Sequence, residues 1–351
     1  MEYVYRLNAK LFSAAQSAAK EECIVLKNKY DFMQKISPQM RAVALKVREW
    51  NASHPERVNN YRADYLAERK FWNEGGPQMV KTQEFDVPGG PHGKVNVRLH
   101  YPTDKQNLPI LVFVHGGGFY LGNNDTHSRV MRILAEKTGC CVIGVNYVLV
   151  PEARFPSQIQ ETAEVVRYFH RHGAEFGLNG NDISMAGDSG GATLVFAATL
   201  YLRDEYHEGT DYLTSLLLYY GMYGMRDGVS ARLWGNDVDE LILDGASRYD
   251  KNYIDEKDLT SPYYDTAMNS DLTWGIPPCF LACGECDPLL DNSTVLYEIL
   301  NDKGFTCEYK VYPGIMHAFL HYSRMLDVAH DAMQDGANFL ARARMIREGK
   351  G

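Results

Sequence analysis

The chain has 351 residues, 45% hydrophobic and 23% charged, with a formal net charge of -9 at pH 7. This is the composition of a globular protein with enough apolar mass for one large core, and its acidic balance argues against nucleic acid or anionic lipid as a partner. No unbroken apolar run is long enough to span a bilayer; Ser13, Gln16 and Ser17 interrupt residues 1–20 and Lys20-Glu21-Glu22 closes them, so no secretory signal is read and a cytoplasmic protein is expected.

Residues 1–28 form an extension whose role the sequence does not reveal. Residues 29–76 read as helical; Tyr61, Tyr65, Phe71 and Trp72 share a stretch with Arg62, Asp64, Glu68 and Arg69, the pattern of an amphipathic helix that needs a surface to lie on. From residue 77 onward short β-rich runs alternate with helix-period segments. Strands are predicted at 79–87, 95–101, 109–114, 140–147, 182–186, 215–220, 279–282 and 306–312. Helices are predicted at 125–138, 156–172, 190–206, 292–303 and 317–345. The first two strands flank Pro88-Gly89-Gly90-Pro91-His92-Gly93, a turn-rich linker that makes them an antiparallel hairpin. The rest alternate with helices, which implies an α/β fold: a mostly parallel eight-stranded sheet covered by helices on both faces. Residues 221–272 interrupt the alternation before the breaker Pro277-Pro278, and with 29–76 they are expected to form a cap over the C-terminal edge of the sheet.

The seven cysteines, Cys23, Cys140, Cys141, Cys279, Cys283, Cys286 and Cys307, are odd in number and scattered, which suggests reduced core thiols rather than a disulfide framework. Cys283-Gly284-Glu285-Cys286 is formally a C-x-x-C, but no second ligand pair accompanies it, so no metal is expected. Oxidation of Cys283 to Cys286 would displace the neighbouring Asp287, a redox role carried as a minor expectation.

The chemistry starts at Gly187-Asp188-Ser189-Gly190-Gly191, which sits between the apolar run 183–186 and a helix-like stretch. Strand, sharp turn and helix would push the Ser189 hydroxyl above the sheet, with glycines where a Cβ would collide with strained backbone. Such a nucleophile needs a base, an acid to orient the base, and donors for an oxyanion. His317, just past the strand 306–312 and the turn Pro313-Gly314, is preferred as base over His321, one helical turn further on. Asp287 follows the strand 279–282 and is braced by Pro288; its rivals are Glu285 and Asp291, the latter better suited to cap the helix from 292. Directly after the apolar strand comes His115-Gly116-Gly117-Gly118-Phe119. The amides of Gly117, Gly118 and Gly190 are candidate oxyanion donors, with His115 and Gly116 shaping the loop.

The order Ser, Asp, His with a His-Gly-Gly-Gly loop upstream resembles the hormone-sensitive-lipase-like branch of the α/β-hydrolase carboxylesterases, nearest its acetyl-esterase group. The likeness runs from about Tyr61 to Ala341 through Phe71-Trp72-Asn73, Leu121-Gly122-Asn123, Pro151-Glu152-Ala153-Arg154-Phe155-Pro156, Ser261-Pro262-Tyr263-Tyr264 and His317-Ala318-Phe319-Leu320-His321. The resemblance implies Ser189 as nucleophile, His317 as base and then acid, Asp287 as orienter, and Gly117, Gly118 and Gly190 as oxyanion donors. It further implies a short-chain ester as the small-molecule substrate, no cofactor, and a lid built partly from N-terminal helices. Tyr147-Val148-Leu149-Val150-Pro151-Glu152 departs from the usual Arg and Ala of that loop, and Cys283 and Cys286 beside Asp287 are unusual. The alternatives are the same machinery used for amide hydrolysis or acyl transfer, or a binding role for a small molecule or protein on the same fold, against which the retention of Ser189, Asp287 and His317 together argues. Acyl-chain preference and homo-oligomer formation are not written in the sequence.

Overall fold

A computed structural model describes residues 31–54, 61–207, 209–225, 227–238, 241 and 251–349. The extension 1–28 and residues 242–250 of the expected cap insertion lie outside the described residues. Eight strands form one sheet in the order β1-β2-β4-β3-β5-β6-β7-β8: β1 (Lys81–Pro88), β2 (Lys94–Tyr101), β3 (Leu108–Val114), β4 (Cys141–Asn146), β5 (Leu178–Asp188), β6 (Leu213–Tyr219), β7 (Cys279–Gly284) and β8 (Cys307–Tyr312). β1 pairs antiparallel with β2 and β2 with β4, while every pairing from β4 to β8 is parallel. The hairpin linker closes on itself through Gly89 N–H to Gly93 O at 2.9 Å.

Sheet position explains the sequence of each strand. Central β6, Leu213-Thr214-Ser215-Leu216-Leu217-Leu218-Tyr219, is buried at every residue, as expected for a parallel strand covered on both faces. Edge strands β1 and β8 alternate exposed and covered residues and carry charges such as Glu84, Asp86, Glu308 and Lys310, which discourage further pairing. Two apolar cores fill the two sides. One packs Ile159, Val166, Phe169, Leu194 and Leu200 against the sheet; the other packs Met131, Leu134, Met333, Phe339 and Leu340.

The covering helices are α1 (Pro38–Ser53), α2 (Tyr61–Asn73), α3 (Ser128–Thr138), α4 (Ser157–His172), α5 (Gly190–Asp204), α6 (Val229–Trp234), α7 (Leu290–Asp302) and α8 (Asp327–Arg347). α1 starts where Ser37 Oγ accepts the Met40 N–H at 3.2 Å, with Pro38 in its first turn. It buries Met40, Val43, Ala44 and Val47, one stripe at helical spacing. α2 is less ordinary, because its buried face is Tyr65, Glu68, Arg69 and Trp72. Glu68 accepts the Trp72 indole N–H at 3.2 Å, and the Arg69 guanidinium lies 4.6 Å from the Tyr65 ring centre.

The predicted helix 317–345 is corrected by the structure. His317 is followed by Ala318 at φ +58°, one 3-10 turn at Phe319–Tyr322, and only then α8 from Asp327. Phe319, Leu320, His321 and Tyr322 are all buried, and an α-helix at the molecular surface cannot bury every side of itself.

Candidate active site

Four loops meet at the C-terminal edge of β3, β5, β7 and β8. The first is the turn after β5, where Ser189 has φ +53° and ψ -126°, a conformation that side chains rarely adopt and that costs about 1–3 kcal/mol. The turn is possible because its neighbours lack side chains. A Cβ on Gly187 would stand 2.5 Å from the Gly191 carbonyl carbon, and one on Gly191 would fall inside the Val114 carbonyl. Ser189 N–H donates to Tyr219 O at 2.9 Å, which ties the turn to β6.

The second and third loops bring the other sequence candidates to this serine. His317 Nε2 lies 2.9 Å from Ser189 Oγ, and His317 Nδ1 lies 2.8 Å from Asp287 Oδ2. Asp287 is fully buried, and its second oxygen accepts the Leu289 N–H at 2.7 Å, so the carboxylate is fixed at both ends. Burial and Asp287 push Cys283 well above its ordinary pKa, and burial pushes Cys286 up to about 12. Both are therefore held as thiols, whereas oxidation to a disulfide starts from a thiolate.

The rivals have other work. Glu285 accepts the Gly314 N–H at 2.8 Å and braces the turn before His317. Asp291 does not cap α7, which already begins at Leu290; its carboxylate reaches across to accept the Ser230 N–H of α6 at 2.9 Å, a cap supplied from another segment. His321 faces Asp188 rather than Ser189, with Nε2 3.3 Å from Asp188 Oδ2.

The glycine loop lies across the turn from the serine. Gly117 and Gly118 have φ +122° and +60°. Gly118 N is 3.5 Å from where a Cβ on Gly190 would sit, so the loop faces the N-terminus of α5, whose free amides and dipole favour negative charge. Gly116 N–H donates to Asp188 Oδ1 at 2.9 Å, and His115 Nδ1 lies 2.9 Å from Gly116 O while its ring stacks on Tyr147 at 4.3 Å. Tyr147 OH donates to His115 O at 2.8 Å, and Val150 N–H to Phe119 O at 3.0 Å, so the divergent segment 147–152 holds the loop from outside. Burial, then His127, push His115 down to about 3, which keeps it neutral and unsuited to serve as a base at neutral pH.

Sequence reasoning missed Asp188 and His127. Asp188 sits beside the serine in plain view, yet only the fold shows that its side chain turns away from the solvent and is completely buried against His127 and His321.

The alpha/beta hydrolase fold family matches residues 111–321. Acetyl esterases of Salmonella schwarzengrund (strain CVM19633) and Salmonella choleraesuis (strain SC-B67) are each 45% identical over 326 residues, covering 91% of this chain and 99% of the relative. Among solved structures, a hyperthermophilic esterase from the archaeon Pyrobaculum calidifontis aligns with a TM-score of 0.76 at 24% identity, over 87% of this chain and 98% of its own. An alpha/beta hydrolase from the metagenome of Lake Arreo, Spain, aligns with a TM-score of 0.77 at 24% identity, over 88% of this chain and 99% of its own. At that identity the two structures speak for the fold.

Proposed function

The chain belongs to the alpha/beta hydrolase fold family, in its hormone-sensitive-lipase-like branch, and from this premise we propose how it works as a carboxylic ester hydrolase. Ser189 attacks the ester carbonyl while His317 Nε2 takes its proton. Asp287 keeps the Nδ1 proton in place and offsets the charge that forms on the ring. The carbonyl oxygen, now negative, is received by the amides of Gly117, Gly118 and Gly190. His317 returns the proton to the leaving alcohol, and water repeats the sequence on the acyl-enzyme. The observation that carries this reading is the unbroken chain from Ser189 Oγ through His317 to Asp287, at 2.9 and 2.8 Å, assembled from the ends of three different strands.

The same reading makes residues 29–76 and 221–272 a cap that limits the acyl pocket, and the preferred substrates short acyl esters, acetyl to about butyryl or hexanoyl. Arg62 of α2 supports this: it donates to Tyr120 O at 2.9 Å and Val150 O at 2.6 Å and pairs with Glu152, which pins the helix to the glycine loop. From the other side, Phe119 stacks face to face on buried Tyr253 at 4.1 Å, and Phe155 N–H donates to Tyr253 O at 2.8 Å. An aromatic wall this close to the donors leaves little room for a long acyl chain. Acetyl esterase as the name of the 45% identical relatives agrees with it.

The test is Ser189→Ala assayed on p-nitrophenyl acetate: turnover is expected to fall about 10⁴-fold or more with the fold unchanged. Normal hydrolysis by that variant overturns the assignment. In the wild type, kcat/KM across acetate, butyrate, hexanoate and octanoate esters is expected to fall sharply by octanoate; a rising series overturns the short-chain preference.

A further inference from the structure

We propose that Tyr220 is a positioning residue for the ester-cleaving site: its buried ring holds the plane of the His317 imidazole, so that Nε2 stays aimed at the reacting oxygen through the part of the cycle when no Ser189 hydroxyl is there to hold it. The proposal deepens the function proposed above and rests on it for the roles of Ser189 and His317.

Tyr220 is the first residue after β6. In the parallel register Asp188 of β5 pairs with Tyr219 of β6, so Ser189 and Tyr220 leave those two strands side by side. Both do so in the left-handed region, at φ +53° and +45°. For a bulky aromatic this is an outlier, whereas a glycine would adopt it without strain. Strained positions of this kind are kept where a side chain has to be aimed. The main chain around Tyr220 is fastened to both neighbouring strands. Ser189 N–H donates to Tyr219 O at 2.9 Å, and Tyr220 N–H donates to Ala282 O of β7 at 2.7 Å.

The side chain so aimed is completely buried and meets the segment that carries the base. Its ring stands 5.0 Å from the His317 ring, centre to centre, at an interplanar angle of 68°, an edge-to-face pair within the range of aromatic attraction. Its hydroxyl accepts the Leu320 N–H at 3.3 Å, and its ring packs on that of Phe319 at 5.1 Å. One side chain from the end of β6 thus touches the base itself and the residues that follow it. Burial, then Asp188, push the phenol well above its ordinary pKa, so Tyr220 brings no charge to the base.

Hydrogen bonds alone do not hold the His317 ring through turnover. The torsion that swings an imidazole about its Cβ–Cγ bond is broad. Once Ser189 is acylated its oxygen carries no proton, and Nε2 has to serve first the leaving alcohol and then water. Over that interval Asp287 grips the ring at Nδ1, and a ring gripped at one point can pivot. A packed neighbour that makes no use of Nε2 holds the plane throughout the cycle.

Tyr220→Leu removes the ring. With active sites counted by exhaustive labelling with a fluorophosphonate, kcat per site on p-nitrophenyl acetate is expected to fall about 10- to 100-fold with KM changed less than about twofold. The conservative variant Tyr220→Phe restores the ring and is expected to restore kcat to within about threefold of wild type. A purely structural role would lower the count of active sites and leave kcat per site alone. Where Tyr220→Leu does not fold, Tyr220→Met fills the space without a ring and carries the same expectation. The imidazole itself is read by proton NMR in a Ser189→Ala background. There the low-field resonance of the His317 Nδ1 proton is expected to stay sharp with Tyr220→Phe and to broaden by exchange with Tyr220→Leu or Tyr220→Met. That background lacks the serine hydroxyl, so the spectrum reads the ring whichever residue is the nucleophile. A failure of the proposed function, seen as turnover by Ser189→Ala, is thereby told apart from a failure here. An unchanged kcat per site without the ring, a loss in Tyr220→Phe as large as that without the ring, or an equally sharp resonance in every variant each overturns the proposal.

Discussion

Two histidine–carboxylate pairs lie on either side of one serine, and they differ in what the far ring nitrogen meets. In His317–Asp287 the carboxylate binds Nδ1 at 2.8 Å and Nε2 is left facing the Ser189 hydroxyl at 2.9 Å. In His127–Asp188 a threonine hydroxyl occupies Nδ1 and the carboxylate itself stands before Nε2. The first ring can gain and lose a proton during a cycle because its open nitrogen touches a group that gives one up. The second is fully buried with a partner beside each nitrogen, so no nitrogen is left open to the serine. Identical residue types thus become a base or a brace according to which nitrogen the acid takes.

The comparison breaks first at Asp287. Asp287→Asn removes the charge and donates toward Nδ1, which forces the proton onto Nε2 and leaves no lone pair for the serine; kcat is expected to drop about 10³- to 10⁴-fold with little change in melting temperature. A loss under about tenfold in steady-state kinetics would mean that the tautomer of His317 is set elsewhere.

His321 sharpens the contrast from the other side of Asp188. As a neutral ring that does not reach Ser189 it should be replaceable, and His321→Gln is expected to keep kcat within about threefold of wild type. Its larger effect lies in acid. His321 has a folded pKa pushed down to about 3 from an ordinary 6.5, so the folded state binds fewer protons than the unfolded one. The stability this group contributes is therefore complete above about pH 6.5 and is lost as pH falls toward 3. Melting temperatures measured between pH 7 and 4 should decline less steeply in His321→Gln than in wild type. A parallel pair of curves would show that the ring protonates freely in the folded protein.

The smallest effect is expected at His100, buried on β2 and held down to about 4 by burial and by Arg98 and Arg132. His100→Gln should relieve a similar but narrower acid loss, from about pH 6.5 to 4, with esterase rates unchanged.

What the sequence made legible was local. Three glycines after an apolar strand, a serine between glycines at a strand-to-helix turn, and a histidine after Pro313-Gly314 are each short patterns whose physics is contained in a few residues. The parallel sheet followed from the same kind of evidence, since strands buried on both faces, such as β6, read as mainly apolar runs rather than alternating ones. What stayed hidden depended on partners far away in the chain. Glu68 and Arg69 look like the wet side of α2, and only the arrival of Tyr322 above Arg69 makes that side an interior one. Asp291 looks like a cap for its own helix until Ser230 is brought beside it from 61 positions earlier. The segment after His317 has helical periodicity, but all four residues of its 3-10 turn are buried, and a pattern of apolar residues does not reveal that every side is covered. Periodicity reports one surface at a time, and charged residues drawn inward by distant partners escape it.

The packing of Gly191 under the Val114 carbonyl has a consequence for how such an enzyme can diversify. The turn that bears Ser189 and the start of the glycine loop are pressed together with only hydrogens between them, so a larger residue at 191 would force the two apart and one at 187 would break the turn itself. Random libraries aimed there would return almost nothing but dead clones. Under the proposed function, variation in which esters are accepted is expected at aromatic side chains packed beside the glycine loop, such as Tyr253 and Phe155, rather than at these glycines.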